Sequence, residues 1–174
     1  MSDETFTMKL PALDPAKADQ LFFAADEKIK QNLFAEAKEM LEKAIQINPR
    51  HGRAHNHLGW LYENKYQDFN KASELYQQAI KFAPEYPAGY ANYTVLLCAM
   101  ERYDELEKHL KVAFEIPGIY KETLYNQYGI MCERQGKFEQ AIENYTKALS
   151  YVLTEQGMTG YKAAIARCKA KMTP

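Results

Sequence analysis

The sequence is poor in cysteine, has no long apolar run and shows no excess of charge of one sign. Its three cysteines, Cys98, Cys132 and Cys168, are far apart and odd in number, which fits neither a disulfide framework nor a zinc knuckle. Lysine plus arginine (22) nearly balances aspartate plus glutamate (23), so the basic surface of a nucleic-acid-binding protein is missing. No stretch approaches the roughly 18 apolar residues of a membrane span. We therefore expect no nucleic-acid partner and no membrane insertion.

The first residues also lack the features of a secretion signal. Residues 1–13 are acidic at the start and contain no apolar core of signal-peptide length. Together with the unpaired cysteines, this predicts a cytoplasmic protein with reduced thiols; the alternative is a periplasmic protein whose leader is not visible.

Motifs of the common catalytic sites are absent as well. The chain contains no GxxxxGK phosphate-binding loop, no HExxH zinc motif and no glycine-flanked serine nucleophile. The sequence therefore predicts a protein that is not an enzyme and that uses no cofactor.

Three of the four histidines lie within seven residues, at His51, His55 and His57. Residues two apart point to different sides of a helix, so His55 and His57 diverge. No cysteine or carboxylate stands in register to complete a zinc site. We predict that these histidines pack between helices and hold no metal.

What the chain does contain is a period of about 34 residues. Ala44, Ala79, Ala113 and Ala148 are spaced by 35, 34 and 35 residues. A large residue precedes each alanine by three positions, and a small residue or threonine precedes it by nineteen or twenty. The large residues are Leu41, Tyr76, Leu110 and Tyr145, and the others are Ala25, Gly59, Thr94 and Gly129. Within each unit, apolar residues recur at three-and-four spacing, which predicts two amphipathic helices and an all-α fold.

These units resemble the tetratricopeptide repeat, whose pattern is W-x2-L-G-x2-Y, then A-x3-F, then P. One instance is His55-x2-Leu58-Gly59-x2-Tyr62, followed by Ala72-x3-Tyr76 and Pro84. Further instances begin at Tyr125 and at Leu21. The unit from Tyr90 to Gly118 departs most from the pattern, because Thr94 and Leu106 stand where small residues are usual.

The resemblance implies a right-handed α-solenoid of about four helix pairs. The predicted repeats span residues 18–51, 52–86, 87–121 and 122–155, in a domain that covers 14–174. The segment from about residue 157 to residue 172 is predicted to form a capping helix. Residues 1–13 are predicted to be a flexible or extended tail, and they could lie in a groove of this chain or of a neighbour.

In such arrays the first helix of each pair lines a concave groove, so the resemblance also suggests candidate binding residues. We expect Trp60 to face the small residues of the third repeat and to form an apolar pocket flanked by three asparagines. The full candidate set is Phe22, Asp26, Arg53, Asn56, Trp60, Ala91, Asn92, Val95, Asn126, Ile130 and Arg134.

The resulting functional prediction is an adaptor or assembly factor that binds a peptide segment or an amphipathic helix of another protein. Two alternatives are a small cytoplasmic secretion or assembly chaperone that holds a client, and a scaffold that assembles with itself. Members of the family that grip acidic chaperone tails use inner-face lysine and arginine. Here Ala88 and Asn92 occupy such places, so we expect no binding of those tails.

Overall fold

The computed structural model describes residues 14–173, and within this range it contains nine α-helices arranged as four pairs and a final single helix. The helices are α1 (Pro15–Lys30), α2 (Phe34–Ile47), α3 (Gly52–Leu61), α4 (Phe69–Phe82), α5 (Pro87–Ala99), α6 (Tyr103–Ala113), α7 (Lys121–Arg134), α8 (Phe138–Leu149) and α9 (Glu155–Met172). The predicted all-α repeat fold is confirmed. The predicted tail, residues 1–13, lies outside the described residues. No described helix is long and apolar enough to cross a membrane.

Helix α1 begins where the local sequence predicts. The Asp14 carboxylate accepts a hydrogen bond from the Lys17 backbone N–H at 3.0 Å, and Pro15 occupies the first helical position. The carboxylate pairs one of the N–H groups that lack a partner at a helix start, and proline loses nothing there because its own N–H would be unpaired.

The two helices of each pair are joined by the same tight turn. One residue of each turn adopts a left-handed backbone conformation, with φ between 54° and 74°. These residues are Asn32, Gln67, Glu101 and Gly136. Only one of the four is glycine, the residue that enters this region without a steric cost. In each turn the residue after the left-handed one donates a backbone hydrogen bond to the end of the first helix, such as Leu33 N–H to the Lys28 carbonyl oxygen at 2.9 Å. The conformation is therefore that of a common helix C-terminal cap.

The second pair contains one extra residue before its turn. Between Tyr62 and the left-handed Gln67 there are five steps along the chain, whereas four steps separate the equivalent residues of the fourth repeat, Cys132 and Gly136. The helix takes up this residue as a π-helical turn over Tyr62–Tyr66. Such turns accommodate single-residue insertions in helices and are frequent at functional sites.

Glycine at the helix crossings allows two tyrosines to be buried. A Cβ atom on Gly59 would lie 2.9 Å from Tyr76 Cδ1, and one on Gly129 would lie 2.7 Å from Tyr145 Cδ1. Both tyrosines are almost fully buried. The small residue and the large residue of each repeat are therefore one packing unit, as their spacing predicted.

The helices form two layers, one made by the first helix of each pair and one by the second. The first helices α1, α3, α5 and α7 contact one another in succession, whereas the second helices α2, α4, α6 and α8 mainly contact first helices. The first helices therefore lie on the inside of the curve and line its concave face. At the C-terminal end, α9 packs against α8 and covers the fourth pair, as a capping helix should.

Candidate binding groove

At the N-terminal end, the histidine cluster joins α1 to α3. His51 caps α3: its Nδ1 accepts from the Ala54 N–H at 3.1 Å, and its Nε2 lies 3.0 Å from Asp19 Oδ1. The Nε2 of His55 lies 2.9 Å from the Pro49 carbonyl oxygen, so His55 donates this bond. Each imidazole thus has a local structural role. No group of three or more metal-ligating side chains occurs between residues 14 and 173.

The same interface buries one predicted groove residue, Phe22, and engages a second, Asp26, in ion pairs. Phe22 is only 6% exposed, because its ring packs between His51 and His57. Asp26 pairs with Lys30 at 3.0 Å and lies 3.4 Å from His57 Nε2. The hydrogen bond from Lys30 lowers the pKa of the Asp26 carboxyl. Both residues therefore hold the first two repeats together.

The expected Trp60 pocket does not form. The indole of Trp60 packs against Phe34 of the first repeat, with 6.4 Å between ring centroids, and Lys65 Nζ lies 5.5 Å from the Trp60 ring. An aromatic neighbour on α2 and a cation over its face hold the indole within the array. Trp60 is thus directed towards the preceding repeat and away from the small residues of the third.

Three predicted residues do come together, on α5. A pocket of about 310 Å³ is lined by Ala91, Asn92 and Val95 of α5 together with residues of the turn before α7. We refer to it as the Ala91 pocket. The complete lining is Pro87, Ala88, Ala91, Asn92, Val95, Ile119, Tyr120 and Thr123. Its floor is apolar because alanine and valine face the inner side of α5.

The asparagines are divided between two sites. Asn92 Nδ2 donates to Asn56 Oδ1 at 3.0 Å and so links α3 to α5, and Asn56 is only 3% exposed. Asn126 and Ile130 instead line a second pocket of about 390 Å³ against α9, which we refer to as the Asn126 pocket. Gly157 and Gly160 of α9 also line this pocket.

The two predicted arginines lie at the edges of the groove. Arg53 is exposed, and its guanidinium lies 5.4 Å from the ring centroid of Tyr86. Arg134 forms an ion pair with Glu101 of the third repeat. Both side chains are accessible, but neither lines the Ala91 pocket.

The sequence-based candidate set omits five residues of the Ala91 pocket, of which Ile119 and Tyr120 lie in the connection before α7. They follow Gly118, whose φ of 76° turns the chain back towards α5. Tyr120 is 78% exposed, which is unusual for a large aromatic side chain, and it also lines an adjoining pocket with Tyr151. An aliphatic residue followed by an aromatic one, directly after the Pro-Gly turn, was the available signal.

Two glutamates of the inner layer bind the buried tyrosines. Tyr76 OH donates to Glu63 Oε2 at 2.6 Å, and Tyr145 OH donates to Glu133 Oε2 at 2.9 Å. Hydrogen bonds from Arg167, above all, hold the pKa of the Glu133 carboxyl well below its usual range. Burial instead raises the pKa of Glu63, and the bond from Tyr76 opposes this only in part.

Comparisons with known proteins agree with this architecture. Residues 21–51, 52–86 and 122–151 each match the tetratricopeptide repeat, and together they make up more than half of the chain. The chain belongs to the tetratricopeptide repeat family. The predicted family is thereby confirmed. The third pair of this tetratricopeptide repeat protein is outside the matched segments, which agrees with the departures at Thr94 and Leu106.

Solved structures share the fold at low sequence identity. PilF of Pseudomonas aeruginosa is 21% identical with a TM-score of 0.75, covering 90% of this chain and 69% of its own. The MamA protein is 17% identical with a TM-score of 0.76, covering 91% and 84%. YrrB, described as having an unusual peptide-binding site, is 16% identical with a TM-score of 0.72, covering 88% and 76%. A search of curated proteins found no match.

Proposed function

We propose that this protein is a non-enzymatic interaction module that binds a peptide segment or a helix of a partner protein in its concave groove. The observation that carries the proposal is the Ala91 pocket, a concavity of about 310 Å³ on the inner layer. Pockets that bind ligands are concave and mostly apolar, with a few polar groups that set orientation. The Ala91 pocket has this composition, so it suits one apolar side chain of a partner.

Asn92 supplies the polar group of the pocket. Its Nδ2 is engaged by Asn56, while its Oδ1 accepts no hydrogen bond from residues 14–173. An amide oxygen can accept from a backbone N–H, so Asn92 can bind the main chain of a peptide whose side chain enters the pocket. The exposed ring of Tyr120 at the rim offers further apolar area to the same segment.

The family supports this class of function. Tetratricopeptide repeat proteins are generally scaffolds for protein interactions and not catalysts. Among the structural neighbours, YrrB is described as peptide-binding and PilW as a type IV pilus biogenesis factor. The groove suits the role of an adaptor and that of an assembly factor equally well. We include a cytoplasmic location in the proposal, because the three cysteines are free and buried.

The test is selection of random peptides on the purified protein, followed by titration of the selected peptides. Ala91→Trp fills the Ala91 pocket. A matched control, Ala163→Trp, places the same side chain on the exposed face of α9. We expect Ala91→Trp to weaken peptide binding by at least tenfold and Ala163→Trp to leave it unchanged, with both variants folded by circular dichroism.

Two results would contradict the proposal. One is failure to select any peptide that binds the wild-type protein. The other is selection of peptides that bind both tryptophan variants equally, which would move the binding surface away from the Ala91 pocket.

A further inference from the structure

The second and fourth repeats carry the same carboxylate at the same position of the inner layer. Glu63 follows Tyr62 directly, as Glu133 follows Cys132, and the two glutamates are 70 residues apart, which is two repeats. Each accepts a hydrogen bond from the buried tyrosine of its own repeat. What differs is the rest of their surroundings.

Around Glu133, the carboxylate is fully paired. Arg167 donates to both of its oxygens at 2.7 Å, from Nε and from Nη2, and Lys171 Nζ donates at 2.9 Å. These two cations lie one turn apart on α9, so the capping helix presents a basic pair to the concave end of the fourth repeat. Helix α9 thus binds a glutamate at this position of the repeat through charge-assisted hydrogen bonds.

In the part of the chain that the structure describes, Glu63 has no such partner. No lysine or arginine among residues 14–173 lies within 4.0 Å of its carboxylate, and its Oε1 accepts no hydrogen bond there. Two lysines close in space to the helical turn that contains Glu63 are used elsewhere. Lys65 Nζ lies 4.1 Å from the ring centroid of Phe34, and Lys38 Nζ lies 3.4 Å from Glu42 Oε1.

The composition of α5 explains the difference. Helix α5 contains no lysine or arginine, and Arg102, the first cation after it, pairs with Glu105. Helix α5 therefore supplies no cation to Glu63. The one-residue insertion of the second repeat begins beside Glu63, in the π-helical turn.

We propose that Glu63 binds a lysine or arginine side chain of the partner segment, so that the partner is basic next to its apolar anchor. This inference rests on the proposed function, because it assigns chemistry to the segment that occupies the groove. A half-buried carboxylate with one tyrosine bond retains unused acceptor sites, which a cation fills. Glu63 also lies two helical turns beyond Asn56, about 10 Å along the helix axis, and Asn56 contacts Asn92 of the Ala91 pocket.

Burial supports the same conclusion. It raises the pKa of the Glu63 carboxyl, which means that the ionised form is poorly stabilised by its present surroundings. A cation at hydrogen-bonding distance would reverse this effect, as Arg167 does for Glu133.

The test uses the peptides selected on the wild-type protein. Each peptide is compared with a version in which its single lysine or arginine is replaced by methionine, on the wild-type protein and on Glu63→Gln. Glutamine still accepts the Tyr76 bond but carries no charge. Glu139→Gln is the matched control, since Glu139 is exposed on α8.

We expect Glu63→Gln to weaken binding of the basic peptides by about tenfold, the range of a hydrogen bond to a charged group. It should leave the methionine peptides unaffected, and Glu139→Gln should change neither. The effects of Glu63→Gln in the protein and of the methionine replacement in the peptide on binding affinity should therefore not be additive.

Three outcomes would overturn the inference: selected peptides without a cation, equal losses for basic and methionine peptides, or loss in Glu139→Gln as well. These outcomes leave the proposed function standing as long as Ala91→Trp still weakens binding by at least tenfold. Peptide binding that Ala91→Trp does not weaken contradicts the proposed function itself, so the two failures are distinguishable.

Discussion

The second and fourth repeats share a glycine, a buried tyrosine and an inner-layer glutamate, but within residues 14–173 only the fourth has a cation for that glutamate. Gly59 and Tyr76 pack as Gly129 and Tyr145 do, with the hypothetical Cβ 2.9 Å and 2.7 Å from the respective ring carbon. The fourth repeat receives Arg167 and Lys171 from α9, whereas the second does not receive a cation from α5. The same local motif thus joins the fourth repeat to α9 through Glu133, whereas in the second repeat Glu63 keeps an acceptor oxygen without a partner among the described residues.

The largest effect should come from the glycines that the two repeats share. Gly129→Ala should destabilise the fold by about 1–2 kcal/mol and Gly59→Ala by somewhat less, because overpacking of about 1–3 kcal/mol outweighs the helical preference for alanine of about 1 kcal/mol. Urea unfolding followed by circular dichroism measures both.

Gly160→Ala is the control for these glycines. No atom lies within 4 Å of the position that a Gly160 Cβ would take. This substitution should therefore raise the free energy of unfolding by up to about 1 kcal/mol. A stabilising effect of Gly129→Ala would show that the crossing of α7 and α8 is looser than described.

A smaller and opposite pair of effects should distinguish the glutamates. Glu133→Gln should cost about 1 kcal/mol, since it removes the charge that Arg167 and Lys171 contact; both cations are about half exposed, so solvent reduces the loss. Glu63→Gln should be neutral or stabilising by a few tenths of a kcal/mol, because it removes an unpaired charge and keeps the Tyr76 bond. Thermal melts of both variants at pH 7 give the comparison, and equal losses would contradict it.

The pH dependence of these variants should separate them further. The folded-state pKa of Glu133 is depressed, so its stabilisation is present above the ordinary value of 4.5 and is lost as the pH falls through the folded-state value. The pKa of Glu63 is raised above 4.5 in the fold, so the cost of its charge appears as the pH rises through the folded-state value.

Both differences from the wild type should therefore be largest at pH 7 and should shrink towards acid pH, with opposite signs. The measurement is the melting temperature of the wild type, Glu133→Gln and Glu63→Gln between pH 4 and pH 7. If Glu63→Gln instead becomes more stable relative to the wild type as the pH falls, the ionised carboxylate of Glu63 is better stabilised in the fold than in the unfolded chain.

The smallest effect concerns the turns, where the fourth repeat has Gly136 and the second has Gln67. Both are left-handed, with φ of 74° and 54°. Gln67→Gly should stabilise the fold by about 0.5 kcal/mol, because glycine enters this region without the steric cost that a side chain bears. Gln135→Gly, at a φ of −83°, should destabilise by a few tenths of a kcal/mol. Chemical unfolding of the two variants side by side tests the difference.

Three lining residues of the Ala91 pocket were predictable because one helix carries them all. Ala91, Asn92 and Val95 lie within five positions of α5, so the helical period alone places them on one side. Trp60 was not predictable in this way, because its position depends on Phe34 of another repeat. Ile119 and Tyr120 belong to a connection between repeats, and a pattern of helical spacing says nothing about where such a segment lies.

The sequence by itself determined the repeat length, the helix pairs and the small-to-large packing of Gly59 with Tyr76 and of Gly129 with Tyr145, because these features follow from spacing within one unit. Only the tertiary structure decided which asparagines meet, that Trp60 faces the first repeat, and that α9 supplies the cations of Glu133 but nothing supplies one to Glu63 within the described residues. Contacts within a repeat are set by the helical period. Contacts between repeats depend on how neighbouring units stack, and that geometry exists only once the whole array has folded.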